Sequence, residues 1–309
     1  MAIRYRVLSL DGGGIRGLIT SRLLERLEDR RSGWIDDVDL FAGTSTGAIL
    51  ATALAAGLQP ADISRFYVDR GSEVFDEDLW DLTDIDRLVR ADYRSRNLKR
   101  ALDDVFGTLT LGDLERKVVI SAFDLDSGGV TAEGMRSWKP KFFHNFEEPG
   151  STDRDELVVD VLMRSCAAPT YFPVYQGFID GGVVANNPSM CGLAQALHAE
   201  TGGQHASYIA LLSVGTGANP RYLETIDGDW GYVQWVKPLL NIVFEGGSGI
   251  AHYECRQILG KRYHRLNPVL PHPIGLDAAD KIAELESVAA REHLDEATGW
   301  IERHWEPLD

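Results

Sequence analysis

The chain has 309 residues, 44% hydrophobic and 25% charged, close to the make-up of an ordinary globular domain. Asp and Glu (47) outnumber Lys and Arg (31), and the formal charge of −16 repels nucleic-acid backbones and strongly anionic lipid at long range. Collagen-like, coiled-coil, disordered, disulfide-stapled and integral membrane classes are excluded: the three cysteines, Cys166, Cys191 and Cys255, suit neither a disulfide framework nor a metal site, and no apolar run is long enough to span a bilayer.

In chain order, Tyr5–Leu10 reads as a short buried strand and Asp11-Gly12-Gly13-Gly14 as a turn. Ile15, Leu18, Ile19, Leu23, Leu24 and Leu27 recur at helical spacing, predicting a helix to about Arg30. Val38–Ala42 predicts a second strand, Gly43–Gly47 a tight turn, and Ala48–Ala56 an Ala-rich helix stopped by Gly57. Pro60 opens the next helix, to about Val74. Further strands are expected at Val118–Leu125, Lys141–Phe146, Val174–Ile179 and Ile209–Val214. Further helices are expected at Glu156–Arg164, Cys191–Glu200, Val233–Phe244, Ile250–Gly260 and Ala278–Trp305. Two segments break the pattern: Glu73–Arg96, acidic and aromatic with weak periodicity, and Asn219–Phe244, rich in large apolar side chains. Strand, Gly turn, helix, repeated, is the opening of a parallel α/β sheet. No Ser/Gly-rich linker divides the chain, so residues 1–309 are expected to form one domain. The N-terminal apolar run is short and enters a Gly turn, unlike a signal peptide, so a cytoplasmic location is expected.

Gly12, Gly14 and Gly17 match the spacing of a dinucleotide-binding turn. That motif needs an acidic residue after the second strand, and here Gly43-Thr44-Ser45-Thr46-Gly47 stands there instead. A phosphate-binding Walker loop fails too, because Leu18-Ile19 occupy the Lys and Ser/Thr positions. What remains is a set of backbone N–H groups at a positive helix end, the physical requirement for an oxyanion hole. The second turn is G-x-S-x-G. A serine on a sharp strand-to-helix turn has its Oγ lifted clear of the sheet, with Gly43 and Gly47 allowing close approach on either side.

A serine nucleophile needs a base. The α/β-hydrolase arrangement places several strands before its elbow, whereas only about 40 residues precede Ser45, enough for one βα unit. The best candidate base is Asp180 in Ile179-Asp180-Gly181-Gly182, a carboxylate at the end of an apolar strand and at the rim where sheet sites form. Partial desolvation raises such a pKa and suits it to take a serine proton. None of the eight histidines sits in a comparable turn; His198 and His252 are the two to check.

Together these pieces resemble the patatin-like phospholipase family. Asp11-Gly12-Gly13-Gly14-Ile15-Arg16-Gly17 is similar to its oxyanion motif, Gly43–Gly47 to its nucleophile elbow, and Asp180-Gly181-Gly182 to the motif that carries its base. Ser165–Pro173, Val183–Pro188 and Val214–Gly217 also look familial, and the resemblance covers roughly residues 5–265. It implies a three-layer α/β/α sandwich with a mostly parallel central sheet and a Ser–Asp dyad without histidine, cofactor or metal. Ser45 is then the nucleophile and Asp180 the base. Gly12, Gly13, Gly14 and Arg16 belong to the oxyanion loop, whose N–H donors lie around Gly13 and Gly14, while Arg16 stabilises the loop. The implied chemistry is phospholipase A-type hydrolysis of carboxylic esters of glycerophospholipids. The same acyl-enzyme would also serve a transacylase or acyltransferase, or a hydrolase of soluble esters.

Compact bacterial relatives include anti-phage effectors switched on by cyclic nucleotides, and the chain's length and Asn186-Asn187-Pro188 stretch resemble that group. The implied partners are a cyclic dinucleotide activator and a phospholipid membrane surface touched peripherally, the inner membrane in the active state, with no DNA or RNA. Arg94, Arg96, Lys99 and Arg100 form one basic cluster. The charge gives no pull towards anionic lipid, so apolar insertion must bring the enzyme to its substrate. Trp230–Phe244 is the first candidate lid, and Val74, Phe75, Leu79, Trp80 and Leu82 the second.

Overall fold

The computed structural model describes residues 4–75, 84–129, 136–222 and 231–305. Its centre is a seven-stranded sheet. The continuous path runs β4 (Lys139–His144), β3 (Lys117–Asp124), β2 (Leu40–Thr44), β1 (Tyr5–Leu10), β6 (Ile209–Val214), β7 (Tyr263–Leu266). The short β5 (Phe178–Asp180) pairs with β3 off this path. β3, β2, β1, β6 and β7 run parallel, and β4 and β5 are antiparallel to β3.

The inner strands are apolar on both faces because helices cover both. Alternation along β1 sorts its side chains: Leu8 and Leu10 enter one core and Val7 the other. The larger core packs helices α1 (Gly17–Arg30), α2 (Thr46–Ala55), α3 (Pro60–Phe75), α5 (Val158–Ser165), α9 (Ile282–Arg291) and α10 (Asp295–His304) on one face. The smaller core packs α7 (Ser189–Leu197) and the second half of α8 (Tyr232–Leu259) on the other. α4 (Asp84–Phe106) and the short α6 (Gly182–Ala185) complete the set. This is the expected three-layer α/β/α arrangement. All ten residues of α2 are buried, as a sequence apolar all round requires.

Four expectations change. Part of the irregular Glu73–Arg96 segment is the first half of α4. Val174–Ile179 is mostly turn: Gln176 and Gly177 both have positive φ (49° and 84°) inside a two-residue hairpin loop bonded from Tyr175 to Phe178, so the strand begins only at Phe178. The C-terminal helix is two helices, broken at Glu292 (ψ 134°), after which the wholly buried Leu294 turns α10 onto the core. The two helices expected at Val233–Phe244 and Ile250–Gly260 are one, α8, running through Pro238 and the Glu245–Gly249 stretch. β7 (Tyr-His-Arg-Leu) carries no apolar alternation and was not expected.

Candidate active site

The site lies beyond the carboxyl ends of β1, β2 and β6, where open α/β sheets collect ligands. Its central feature is a shared edge of β3. β2 pairs with that edge up to Thr44, opposite Ser121. β4 fills the other edge, so β5 continues the first one from the opposite direction, with Asp180 opposite Ala122. The two strands meet head to head, which brings Ser45 and Asp180, 135 positions apart by subtraction of their numbers, to adjacent places.

Ser45 has φ 54° and ψ −123°, a left-handed conformation strained for any residue with a Cβ. The surroundings hold it there. Its N–H donates to Ser165 Oγ (2.8 Å), and Ser165 Oγ donates to the Ser121 carbonyl (2.7 Å). Thr44 Oγ1 lies 2.5 Å from Ser121 Oγ and donates to the Ala185 carbonyl at 2.6 Å. The flanking glycines are required by space: a Cβ on Gly47 would sit 2.1 Å from the Leu10 carbonyl oxygen, and one on Gly43 2.4 Å from that of Gly47.

Asp180 is 2% exposed. Burial raises its pKa to about 6, opposed by the neighbouring Ser45 hydroxyl and by the Gly182 N–H, which donates to Oδ1 at 2.7 Å. Its own N–H donates to the Ala167 carbonyl (3.0 Å). The turn after α5 therefore supports both residues, Ser165 holding the serine backbone and Ala167 the aspartate backbone. Cys166, between them, lies near Ser45, and burial keeps its thiol neutral by pushing its pKa well up.

The Asp11–Gly17 loop, expected to supply the oxyanion donors, is fixed on several sides. Asp11 makes a bidentate ion pair with Arg265 of β7 (2.8 and 2.5 Å), and its N–H donates to the Val214 carbonyl (3.1 Å). Thr216 Oγ1 donates to the Gly12 carbonyl (2.9 Å). The Gly12 N–H is committed to the Asn186 carbonyl (2.9 Å), which removes Gly12 from the N–H donors facing the cavity; Gly13 and Gly14 retain theirs with no acceptor among the described residues. Gly14 has φ +56°, and a Cβ there would meet the Leu276 carbonyl at 2.1 Å. Arg16 is 8% exposed, its guanidinium 3.5 Å from the Gly13 and Ile274 carbonyls.

These groups line one cavity of about 780 Å³. Ser45, Asp180, Gly12, Gly13, Gly14 and Arg16 all reach it, whereas Gly43 and Gly47 lie behind the elbow. Ile49, Phe75, Leu98, Phe172, Leu240 and Phe244 make much of the apolar wall. No histidine lines it among the described residues. His252 Nδ1 instead faces the Tyr263 hydroxyl (3.1 Å), and His198 Nδ1 faces Thr201 Oγ1 (3.4 Å). Of the basic cluster, Lys99 pairs with Asp103 (3.1 Å) and Arg100 lies 4.0 Å from Glu73, both at the protein surface. Leu79, Trp80, Leu82 and Trp230 lie outside the described residues.

α8 forms part of the cavity roof. Leu240, Asn241, Phe244 and Glu245 face the cavity, while Trp235, Leu239, Ile242 and Val243 are exposed. Past Gly246, Gly247 and Gly249, Ala251, Cys255 and Leu259 are buried. Ser248 ties the junction to Asn186 (3.2 Å) and Asn187 (3.4 Å). The sequence marked the stretches holding Ser165, Asn186 and Thr216 without revealing what each side chain does; Arg265 gave no signal at all.

Comparison with known proteins agrees with this architecture. Protein teg of Priestia megaterium is 30% identical over 338 aligned positions, covering 98% of this chain and 99% of its own. CotR of Bacillus subtilis is 31% identical, covering 98% of each. A cGAMP-activated phospholipase of Pseudomonas aeruginosa is 30% identical over 85% of this chain and 78% of its own length. The model of the family described as patatin-like phospholipase matches residues 8–190, the span from β1 through the elbow and Asp180 into α7, and the chain belongs to that family.

Proposed function

We propose that this chain is a single-domain serine lipid acyl hydrolase that cleaves carboxylic esters of glycerophospholipids through a Ser45–Asp180 dyad. The observation that carries this reading is a strained serine, Ser45, next to the buried carboxylate of Asp180 where β2 and β5 meet, on the wall of a largely apolar cavity. With its pKa near 6, Asp180 is ionised at neutral pH and basic enough to take the serine proton as Oγ attacks the ester carbonyl. The oxyanion forms opposite the N–H groups of Gly13 and Gly14, fixed beforehand by the Asp11–Arg265 pair. Asp180 returns the proton to the leaving alkoxide. Water, deprotonated by the same carboxylate, then releases the fatty acid from Ser45.

A cavity of about 780 Å³ is of the size that holds lipid-like ligands, and its apolar wall suits an acyl chain. No helix among the described residues is long and apolar enough to cross a membrane, so lipid must be drawn in from a surface. The exposed Trp235, Leu239, Ile242 and Val243 on the roof serve as the contact with that surface. Activation by a cyclic dinucleotide is part of the same reading, supported by relatives named as cGAMP-activated phospholipases.

The test is fatty-acid release from mixed phospholipid vesicles by wild type, Ser45→Ala and Asp180→Ala, each with and without a panel of cyclic dinucleotides. Release by wild type that both substitutions abolish is expected, with stimulation by one nucleotide. A Ser45→Ala protein as active as wild type would overturn the dyad, and release indifferent to every nucleotide would remove the activator.

A further inference from the structure

Arg16 is unusual in its company. A guanidinium buried to this degree is costly unless a carboxylate or a full set of acceptors compensates it. Arg16 has neither: it forms no ion pair among the described residues, and its two backbone contacts are at the 3.5 Å limit of a hydrogen bond. By contrast Arg265 and Arg164, two other largely buried arginines, have carboxylate partners at 2.5 and 3.0 Å.

A second cation adds to the cost. Arg221 lines the same cavity, and burial together with its charge lowers the Arg16 pKa to about 10, so the Arg16 guanidinium stays charged at neutral pH. Arg221 is solvent-exposed at the mouth, while Arg16 lies within. Their separation is set by the fold. Asn219, two residues before Arg221, accepts from the Ile274 N–H (2.9 Å) and donates to the Ile274 carbonyl (3.4 Å), the carbonyl that Arg16 also approaches. Asn219 thus ties the segment that carries Arg221 to the same residue that Arg16 approaches. Glu245 also lines the cavity and offsets the Arg16 charge only at a distance, with no ion pair between them among the described residues.

We propose that Arg221 at the mouth and Arg16 behind it form an anion subsite that takes the phosphodiester of the substrate headgroup, while the apolar wall takes the acyl chain. A phosphodiester carries one negative charge and two free oxygens, which two guanidinium forks can share. The subsite rests on the hydrolase reading above. It adds that the enzyme selects phospholipids over uncharged glycerides, with Arg221 as the selecting residue.

The experiment compares kcat/KM of wild type, Arg221→Ala and Arg221→Lys on three esters: phosphatidylcholine and diacylglycerol of the same acyl chains in mixed micelles, and p-nitrophenyl butyrate. Wild type should prefer phosphatidylcholine. Arg221→Ala should lose about tenfold or more on phosphatidylcholine and stay within about twofold on the other two, with Arg221→Lys intermediate. Soluble glycerophosphocholine should inhibit wild type more than Arg221→Ala. Equal loss on all three esters, or none on any, overturns the subsite. Inhibition by inorganic phosphate or a cyclic dinucleotide that depends on Arg221, with no change in lipid preference, assigns the pair to a free phosphate and overturns the headgroup reading. A wild type active on p-nitrophenyl butyrate and diacylglycerol but not on phosphatidylcholine removes the subsite and leaves the dyad standing. Inactivity on all three removes both.

Discussion

The floor and the roof of the cavity are built on opposite principles. On the floor, Ser45, Asp180 and the oxyanion loop are buried, and their backbone groups are tied to Ser165, Ala167, Asn186 and Val214. Gly14, Gly43 and Gly47 there are wedged against backbone at under 2.5 Å from a notional Cβ. On the roof, α8 exposes large apolar side chains, and Gly246, Gly247 and Gly249 have open space where a Cβ would stand. The floor must hold reacting atoms to a fraction of an ångström, and dense packing gives that precision. On the proposed function the roof admits a long, flexible substrate, and sparse packing with weak helix formers lowers the cost of moving it.

Breaking the floor should have the largest effects. Asp180→Asn removes the base and should lower kcat/KM on any ester by about three orders of magnitude or more, measured with p-nitrophenyl butyrate. In wild type, kcat/KM should rise with pH through about 6, as Asp180 loses its proton. Stability should move the other way. The folded pKa of about 6 exceeds the ordinary carboxylate value of 3.8 in the unfolded chain, so the stability contributed below pH 3.8 is lost as pH rises through about 6. At pH 8 the ionised carboxylate costs on the order of 3 kcal/mol, and Asp180→Asn should melt higher than wild type there but not at pH 4. An Asn variant that melts lower at pH 8 would show that the carboxylate is held for stability rather than for chemistry.

The elbow comes next. Gly47→Ala places a methyl against the Leu10 and Asp11 carbonyls, and should cost about 3 kcal/mol or more by thermal or urea unfolding. A neutral result would mean that α2 can slide away from β1, and that the floor is softer than its contacts imply.

The roof should give the smallest and most selective effect. Replacing Trp235 and Leu239 by Ser should reduce activity on phospholipid vesicles by about tenfold, with little change in Tm or in hydrolysis of a soluble ester. Equal losses on vesicles and soluble ester would mean that these side chains shape the cavity rather than meet a surface.

The contrast also explains what could be read in advance. Floor motifs are local: glycines and a serine must sit at fixed offsets because one turn cannot be made otherwise, and so the two Gly turns and the Asp-Gly-Gly stretch stood out. The roof carries no such constraint. The Glu245–Gly249 stretch separated two expected helices, yet α8 is continuous, anchored by Ala251, Cys255 and Leu259 in the core and by Ser248 to two asparagines. Tertiary contacts outweighed a propensity of about 1 kcal/mol per glycine.

The sequence by itself determined the repeated strand–turn–helix opening, hence the sandwich and its parallel sheet, and it singled out Ser45 and Asp180 with the loops that serve them. Periodicity and turn chemistry act over a few residues and leave their mark in a few residues. Only the tertiary structure decided that β2 and β5 share one edge of β3, which places the hydroxyl beside the carboxylate. It alone set Arg265 beneath Asp11, Ser165 beneath Ser45, and Arg221 near Arg16. Such pairings join residues from 120 to more than 200 positions apart, and no local preference encodes them; they follow from the order in which the sheet is assembled.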